Sequence, residues 1–122
     1  MSEVVLITGA GIGIGRATAV AFGAAGAHVV VTDVLETEGR AVVDEIRAAG
    51  GSAEFQFLDV RSTEAADALV ADLENRLGGI DTIVANAGIA HRTPVEQLTD
   101  DKWDLTFDID LKGIFRVVRP AV

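Results

Sequence analysis

Gly9, Gly11, Gly13 and Gly15 alternate with other residues directly after the apolar run Val4-Val5-Leu6-Ile7. A short continuous apolar run, partly β-branched, fits a strand buried on both faces. The glycines leave the backbone bare where a helix must begin. Ile14, Ala17, Ala21 and Ala25 then recur at helical spacing, with Thr18 and Phe22 beside them. That stripe is the expected packed face of the first helix, and Gly26 is placed to end it.

The same alternation continues. His28 to Thr32 reads as a second buried strand, stopped at Asp33. Residues from about Glu36 to Ala49 carry Val42, Val43 and Ile46 among acids and arginines, an amphipathic helix ended by Gly50-Gly51. Ala53 to Leu58 suits a third strand at a sheet edge. Ser62 is a good N-cap for a helix with Ala66, Leu69, Val70, Leu73 and Leu77 on one face, stopped by Gly78-Gly79. Ile80 to Ala85 reads as a fourth strand. Thr99 or Asp100 caps a last helix whose apolar face is Trp103, Phe107, Leu111, Ile114 and Val118. Strands alternating with helices imply a parallel sheet with right-handed crossovers. The expected fold is α/β, half of a Rossmann unit. Its four-stranded parallel sheet runs in the order 3-2-1-4, with the first two helices on one face and the last two on the other. No linker or repeat divides residues 1–122, so one domain is expected.

The loop Thr8-Gly9-Ala10-Gly11-Ile12-Gly13-Ile14-Gly15 fits neither GxGxxG at any offset nor the P-loop pattern, which needs Gly-Lys-Ser/Thr. It fits TGxxxGxG. Glycines between a strand and a helix let a pyrophosphate approach the free N–H groups of the helix N-terminus. Four alternating glycines in a plain connector would cost chain entropy without return.

Asp33 stands at the carboxyl end of the second strand, beside Val34. An acid about 20 residues beyond such glycines accepts hydrogen bonds from the adenosine ribose and repels a 2′-phosphate. NAD is therefore expected over NADP. The alternative is an acid that caps the second helix. Asp59-Val60 and Asn86-Ala87-Gly88 end the third and fourth strands, at the edge where ligands of open α/β sheets bind. Asp59 could equally begin the turn into the third helix. The candidate binding set is Thr8, Gly9, Gly11, Ile12, Gly13, Ile14, Gly15, Asp33, Val34, Asp59, Val60, Asn86, Ala87 and Gly88.

Composition closes off other chemistries. With 19 acids against 10 bases the net charge is −9, which speaks against nucleic acid or an anionic membrane as partner. There is no cysteine, which excludes disulfides, thiolate catalysis and zinc–sulfur sites. A metal site is not expected either. His28 and His91 are the two histidines, and neither has the spacing of a triad. The run Val4 to Ile7 is too short for a signal peptide, and Val20 to Val31 is broken by Gly23, Gly26 and His28. A cytoplasmic location is the expectation.

Taken in order, Thr8-Gly9-x-x-x-Gly13-x-Gly15, Asp33, Asp59-Val60, Asn86-Ala87-Gly88, Trp103-Asp104 and Leu111-Lys112-Gly113-Ile114-Phe115 resemble the short-chain dehydrogenase/reductase family over the whole chain. The resemblance implies glycines on the pyrophosphate, an acid selecting NAD, and adenine-side contacts from the Asp-Val and Asn-Ala-Gly segments. It also implies hydride transfer between a nicotinamide and an alcohol or ketone. That reaction uses a Ser and a Tyr-x-x-x-Lys pair on elements that would follow Val122. The chain has no tyrosine, and neither Lys102 nor Lys112 fits that motif. The family's catalytic Asn before the Leu-Lys-Gly-type segment is replaced by Asp110, which reads more readily as a tolerated polar residue than as a catalyst.

No catalytic residue is therefore assigned, and activity from this chain alone is not expected. Three functions compete: an NAD-binding half of the family's fold, an oxidoreductase completed by another chain, and a truncated or engineered assembly unit without ligand. An uncovered fourth strand and last helix predict a homodimer or higher oligomer through the strand-four edge or helix four.

Overall fold

A computed structural model describes residues 2–122. Strands β1 (Val4–Ile7), β2 (His28–Asp33), β3 (Ser52–Phe57) and β4 (Thr82–Val84) form one parallel sheet in the order β3-β2-β1-β4. The register sets Val4 opposite His28 and Val5 opposite Thr82. Between the strands run α1 (Gly13–Ala24), α2 (Glu36–Ala48) and α3 (Thr63–Leu77). After β4 come α4 (Asp100–Phe107), a π turn (Asp108–Lys112) and α5 (Gly113–Val118). The architecture is the expected α/β half-Rossmann sheet.

Alternation of side chains along the strands divides the core in two. Val5, Ile7, Val29 and Val31 pack with Ala19, Val42, Val43 and Ile46 from α1 and α2. Val4, Leu6 and Val30 pack on the other face with Leu69, Val70 and Leu73 of α3 and Val117 of α5. Each fully buried aliphatic side chain removes enough surface from water to contribute about 1.5–3 kcal/mol before chain entropy is counted. The expected helix ends hold. Ser62 Oγ accepts the Ala65 N–H, Thr99 rather than Asp100 caps α4 by accepting the Lys102 N–H, and Gly78 ends α3 in the left-handed region.

Three expectations fail. The buried face of α1 is Gly15, Ala19 and Gly23, while Ile14 is 79% exposed and Ala17, Ala21 and Ala25 also face outward. Glycine carries no apolar weight in a periodicity count, yet here it lets α1 lie against its neighbours. A Cβ on Gly23 would come 2.7 Å from Ile46 Cγ2. The last helix is also not one helix with one packed stripe. The π turn shifts its register, so Gly113, Arg116 and Val117 turn inward and Trp103, Phe107, Leu111 and Ile114 outward. Finally, the fourth strand is shorter than Ile80 to Ala85, because only Thr82–Val84 find ladder partners on β1. No helix of the described residues is long and apolar enough to cross a membrane.

Candidate dinucleotide-binding cleft

The carboxyl ends of all four strands open onto a cleft of about 510 Å³. Of the fourteen candidate residues, ten line it: Gly9, Ile12, Ile14, Asp33, Val34, Asp59, Val60, Asn86, Ala87 and Gly88. The other four, Thr8, Gly11, Gly13 and Gly15, belong to the loop that borders it. Thr8 is buried, and its Oγ1 accepts the N–H groups of Asn86 and Ala87, both at 3.0 Å. The Asn86 amide donates to the Gly9 carbonyl at 3.1 Å. These bonds fasten the end of β4 to the end of β1.

Gly15 and Gly9 are fixed by close approach. A Cβ on Gly15 would fall 2.2 Å from the Gly9 carbonyl oxygen, and one on Gly9 would fall 2.7 Å from Ala87 Cα. Gly11 lends its N–H to Asp33 Oδ2 at 2.9 Å. Gly13 opens α1, where an added Cβ meets nothing within 4 Å. The N-cap of that helix, Ile12, has no side-chain acceptor, and the first turn holds no acid. Unsatisfied N–H groups and the positive end of the helix dipole therefore face an uncovered cradle, which suits a pyrophosphate.

Asp33 is buried, with Oδ1 accepting the Leu35 N–H at 3.1 Å and Oδ2 held by Gly11. It thus organises the turn into α2 and the glycine loop together, though the N-cap of α2 is Leu35. Asp59 likewise serves its turn, accepting the Arg61 N–H at 3.0 Å, and also lines the cleft. The Arg61 guanidinium donates to both its oxygens and holds the carboxyl below the usual carboxylate range.

Sequence reasoning missed Leu35, Leu58, Arg61, Ile89 and Ile109 as cleft lining. Leu35, Leu58 and Arg61 follow or precede an assigned strand-end residue by one or two positions, which was the available signal. Asp110, read from the sequence as a tolerated polar residue, has a structural partner. The π turn brings its Oδ1 to the Ile89 N–H at 2.8 Å, where it ties down the loop after β4. Arg116 is buried and donates to the carbonyls of Val60 and Asp108 and to the Asp108 carboxylate. It braces the Val60 wall of the cleft. The His91 Nε2 is buried without a partner among the described residues. His28 proves to be linked to Ser52 Oγ at 2.6 Å and Glu54 Oε1 at 2.9 Å, by strand register rather than sequence spacing. That chain lies at the amino ends of the strands, away from the cleft. No group of three or more metal-ligating side chains is present among the described residues.

A parallel sheet with a glycine cradle and an acid at the end of its second strand defines a dinucleotide-type α/β chain. The family model for short chain dehydrogenases matches residues 3–122, and the chain belongs to that family. It is 42% identical over 120 residues to a hexahydroindene-carboxyl-CoA reductase of Mycobacterium tuberculosis, covering 98% of this chain and 46% of that protein. A solved short-chain dehydrogenase/reductase of Burkholderia xenovorans superposes with TM-score 0.92 at 34% identity, over 98% of this chain and 49% of that one. A metagenomic short-chain oxidoreductase solved in complex with NADP gives TM-score 0.91 at 34% identity, over 97% and 54%. The chain spans about half the length of these proteins, aligned with their amino-terminal half. The family binds nicotinamide dinucleotides.

Proposed function

We propose that this chain is the dinucleotide-binding half of a short-chain dehydrogenase/reductase and binds NAD in preference to NADP. The supporting observation is the convergence of the glycine cradle, Asp33, Asp59-Val60 and Asn86-Ala87-Gly88 on one cleft. The α1 N-terminus would take the pyrophosphate. Asp33 would take the adenosine ribose through the lone pairs not used by Gly11 and Leu35. Asp59 and Val60 would border the adenine, and Asn86, Ala87 and Gly88 would floor the middle of the cleft. A nicotinamide bound there supplies hydride chemistry. The proton transfer that accompanies it needs an acid/base group, and these 122 residues hold no tyrosine for the role the family gives it. Oxidoreductase activity is therefore assigned to no residue here.

Calorimetric titration with NAD, NADP and ADP-ribose tests the reading. NAD and ADP-ribose should bind in the range of about 10 μM to 1 mM. Asp33→Ala should abolish this, and Asp33→Asn, which can still accept from Gly11, should weaken it less. A folded chain that gives no heat with any of the three refutes the reading.

Assembly is a second element of the proposal, favoured by a specific surface. Phe107, Leu111 and Phe115 border an apolar depression of about 860 Å³ on the outer face of α4 and α5. Together with the uncovered β4 edge, this favours a homodimer or higher oligomer. A monodisperse monomer by light scattering well above micromolar concentration would refute it.

A further inference from the structure

We propose that Glu38, on the first turn of α2 beside Gly11 and Asp33, is a second specificity-determining carboxylate that acts with Asp33 to exclude a 2′-phosphate. This rests on the reading that the cleft holds a nicotinamide dinucleotide.

The two carboxylates flank the same glycine. A Cβ built on Gly11 would lie 2.9 Å from Asp33 Oδ2 and 3.3 Å from Glu38 Cβ. The first turn of α2 therefore passes directly over the glycine loop at the point where Asp33 is fastened. Asp33 alone is a blunted guard. Backbone N–H groups donate to both its oxygens, and each offsets part of the negative charge that a phosphate would meet.

The two neighbouring helix starts sharpen the point. Neither Ile12, which caps α1, nor Leu35, which caps α2, supplies a side-chain acceptor. Both ends thus expose N–H groups that favour an anion. The first turn of α1 holds no acid, whereas the first turn of α2 holds Glu36 and Glu38. One helix start is left open to phosphate and the other is closed against it.

Of the acids on α2, Glu38 and Asp44 are without an ion-pair partner among the described residues, and of these two Glu38 stands on the first turn. Glu36 is paired with Arg40, whose guanidinium also lies over the Phe55 ring. Arg16 is held by Glu45, and Arg47 donates to the Ala53 carbonyl. Glu38 is exposed and has no hydrogen-bond or ion-pair partner among the described residues. A 2′-phosphate bearing nearly two negative charges would meet it with no matched cation between them.

Calorimetry on the intact chain, with NAD and NADP as paired ligands, tests this. Glu38→Gln should improve NADP affinity by about fivefold at low salt and move NAD by less than twofold. Glu38→Lys should improve NADP by more than tenfold, and both gains should shrink at about 0.5 M salt. Glu36→Gln, on the same turn, should leave the NADP-to-NAD ratio within twofold. NAD binding with a ratio unmoved by either Glu38 variant overturns the assignment alone, as does an equal response to Glu36→Gln. Absence of NAD binding to the unsubstituted chain overturns the dinucleotide reading itself.

Discussion

Along the β3 edge of the sheet, Glu54 takes hydrogen bonds from Arg76 and Gln56 and contacts His28, while Arg40 covers Phe55 on the opposite face. Along the β4 edge stand Thr82, Ile83 and Val84, half-buried, with no charged side chain among them. Charges on an edge strand discourage another strand from pairing with it; a short apolar edge invites one. The sheet is finished on the β3 side and open on the β4 side. The outer face of α4 and α5 repeats the open character, with Trp103, Leu111 and Phe115 each more than half exposed.

The strongest way to break this comparison is to set an aliphatic truncation in the closed core against one on the open strand that packs on the same core. Leu73 of α3 is fully buried, and Leu73→Ala should cost about 2–5 kcal/mol in urea denaturation. Ile83→Ala on the open strand should cost less than half as much. Equal costs would mean that the β4 edge is covered in solution, and concentration dependence of the Ile83→Ala midpoint would then identify the cover as a second copy.

Next in size is the seam between the two sides. Thr8 Oγ1 accepts two N–H groups from the end of β4. Thr8→Val keeps the volume and removes the one oxygen that accepts both, leaving the backbone N–H groups of Asn86 and Ala87 unsatisfied. The cost should be about 1–3 kcal/mol. Amide exchange should localise it, with Asn86 and Ala87 losing protection while Val29 to Val31 keep theirs. Uniform loss across the sheet would contradict a local seam.

How much of this was legible in the sequence follows the same divide. The caps at Ser62 and Thr99 and the cleft positions of Asp33, Asp59 and Asn86 rest on local signals: apolar runs, capping residues and glycine spacing; the strand order rests on the doubly wound topology that the alternation implies. The inward faces of α1 and α5 were not legible, because glycine and arginine occupy them. Gly15 and Gly23 permit close approach, and Arg116 is buried for the carbonyls it reaches. Hydrophobic periodicity instead picks out Ile14, Ala17, Trp103, Phe107 and Leu111, apolar residues that this chain does not itself cover. The π turn that places Asp110 on Ile89 leaves no mark in propensity. Nor does spacing reveal the Ser52–His28–Glu54 chain, which depends on the register of β2 against β3.

The finished edge carries a pH signature. Burial raises the Glu54 pKa, but hydrogen bonds from Arg76, Gln56 and His28 outweigh it and lower the value from 4.5 to about 2. A carboxyl depressed by folding adds stability above its unfolded pKa and loses it as pH falls through the folded one. The contribution of Glu54 is therefore full above pH 4.5 and disappears towards pH 2. In Arg76→Gln the main lowering partner is gone, so the fall in urea midpoint between those limits should be shallower than in the unsubstituted chain. An identical slope would remove Glu54 as its source.

The finest cut between the two open surfaces compares Ile83→Lys, at a side chain packed partly against the core, with Leu111→Ser, whose effect on stability is the smallest. Leu111 is 61% exposed, so Leu111→Ser should change monomer stability by no more than about 0.5 kcal/mol. Its effect belongs to association. If copies meet through the outer face of α4 and α5, Leu111→Ser should shift sedimentation towards monomer and Ile83→Lys should not. If they meet by pairing β4 edges, the order reverses, because a lysine on a three-residue strand places a charge beside every available ladder position. Insensitivity to both would place the contact elsewhere. The outward stripe of α1, Ile14, Ala17 and Ala21, is then the next apolar surface to test, and Ile14→Ser the substitution, provided dinucleotide affinity is followed alongside because Ile14 also borders the cleft.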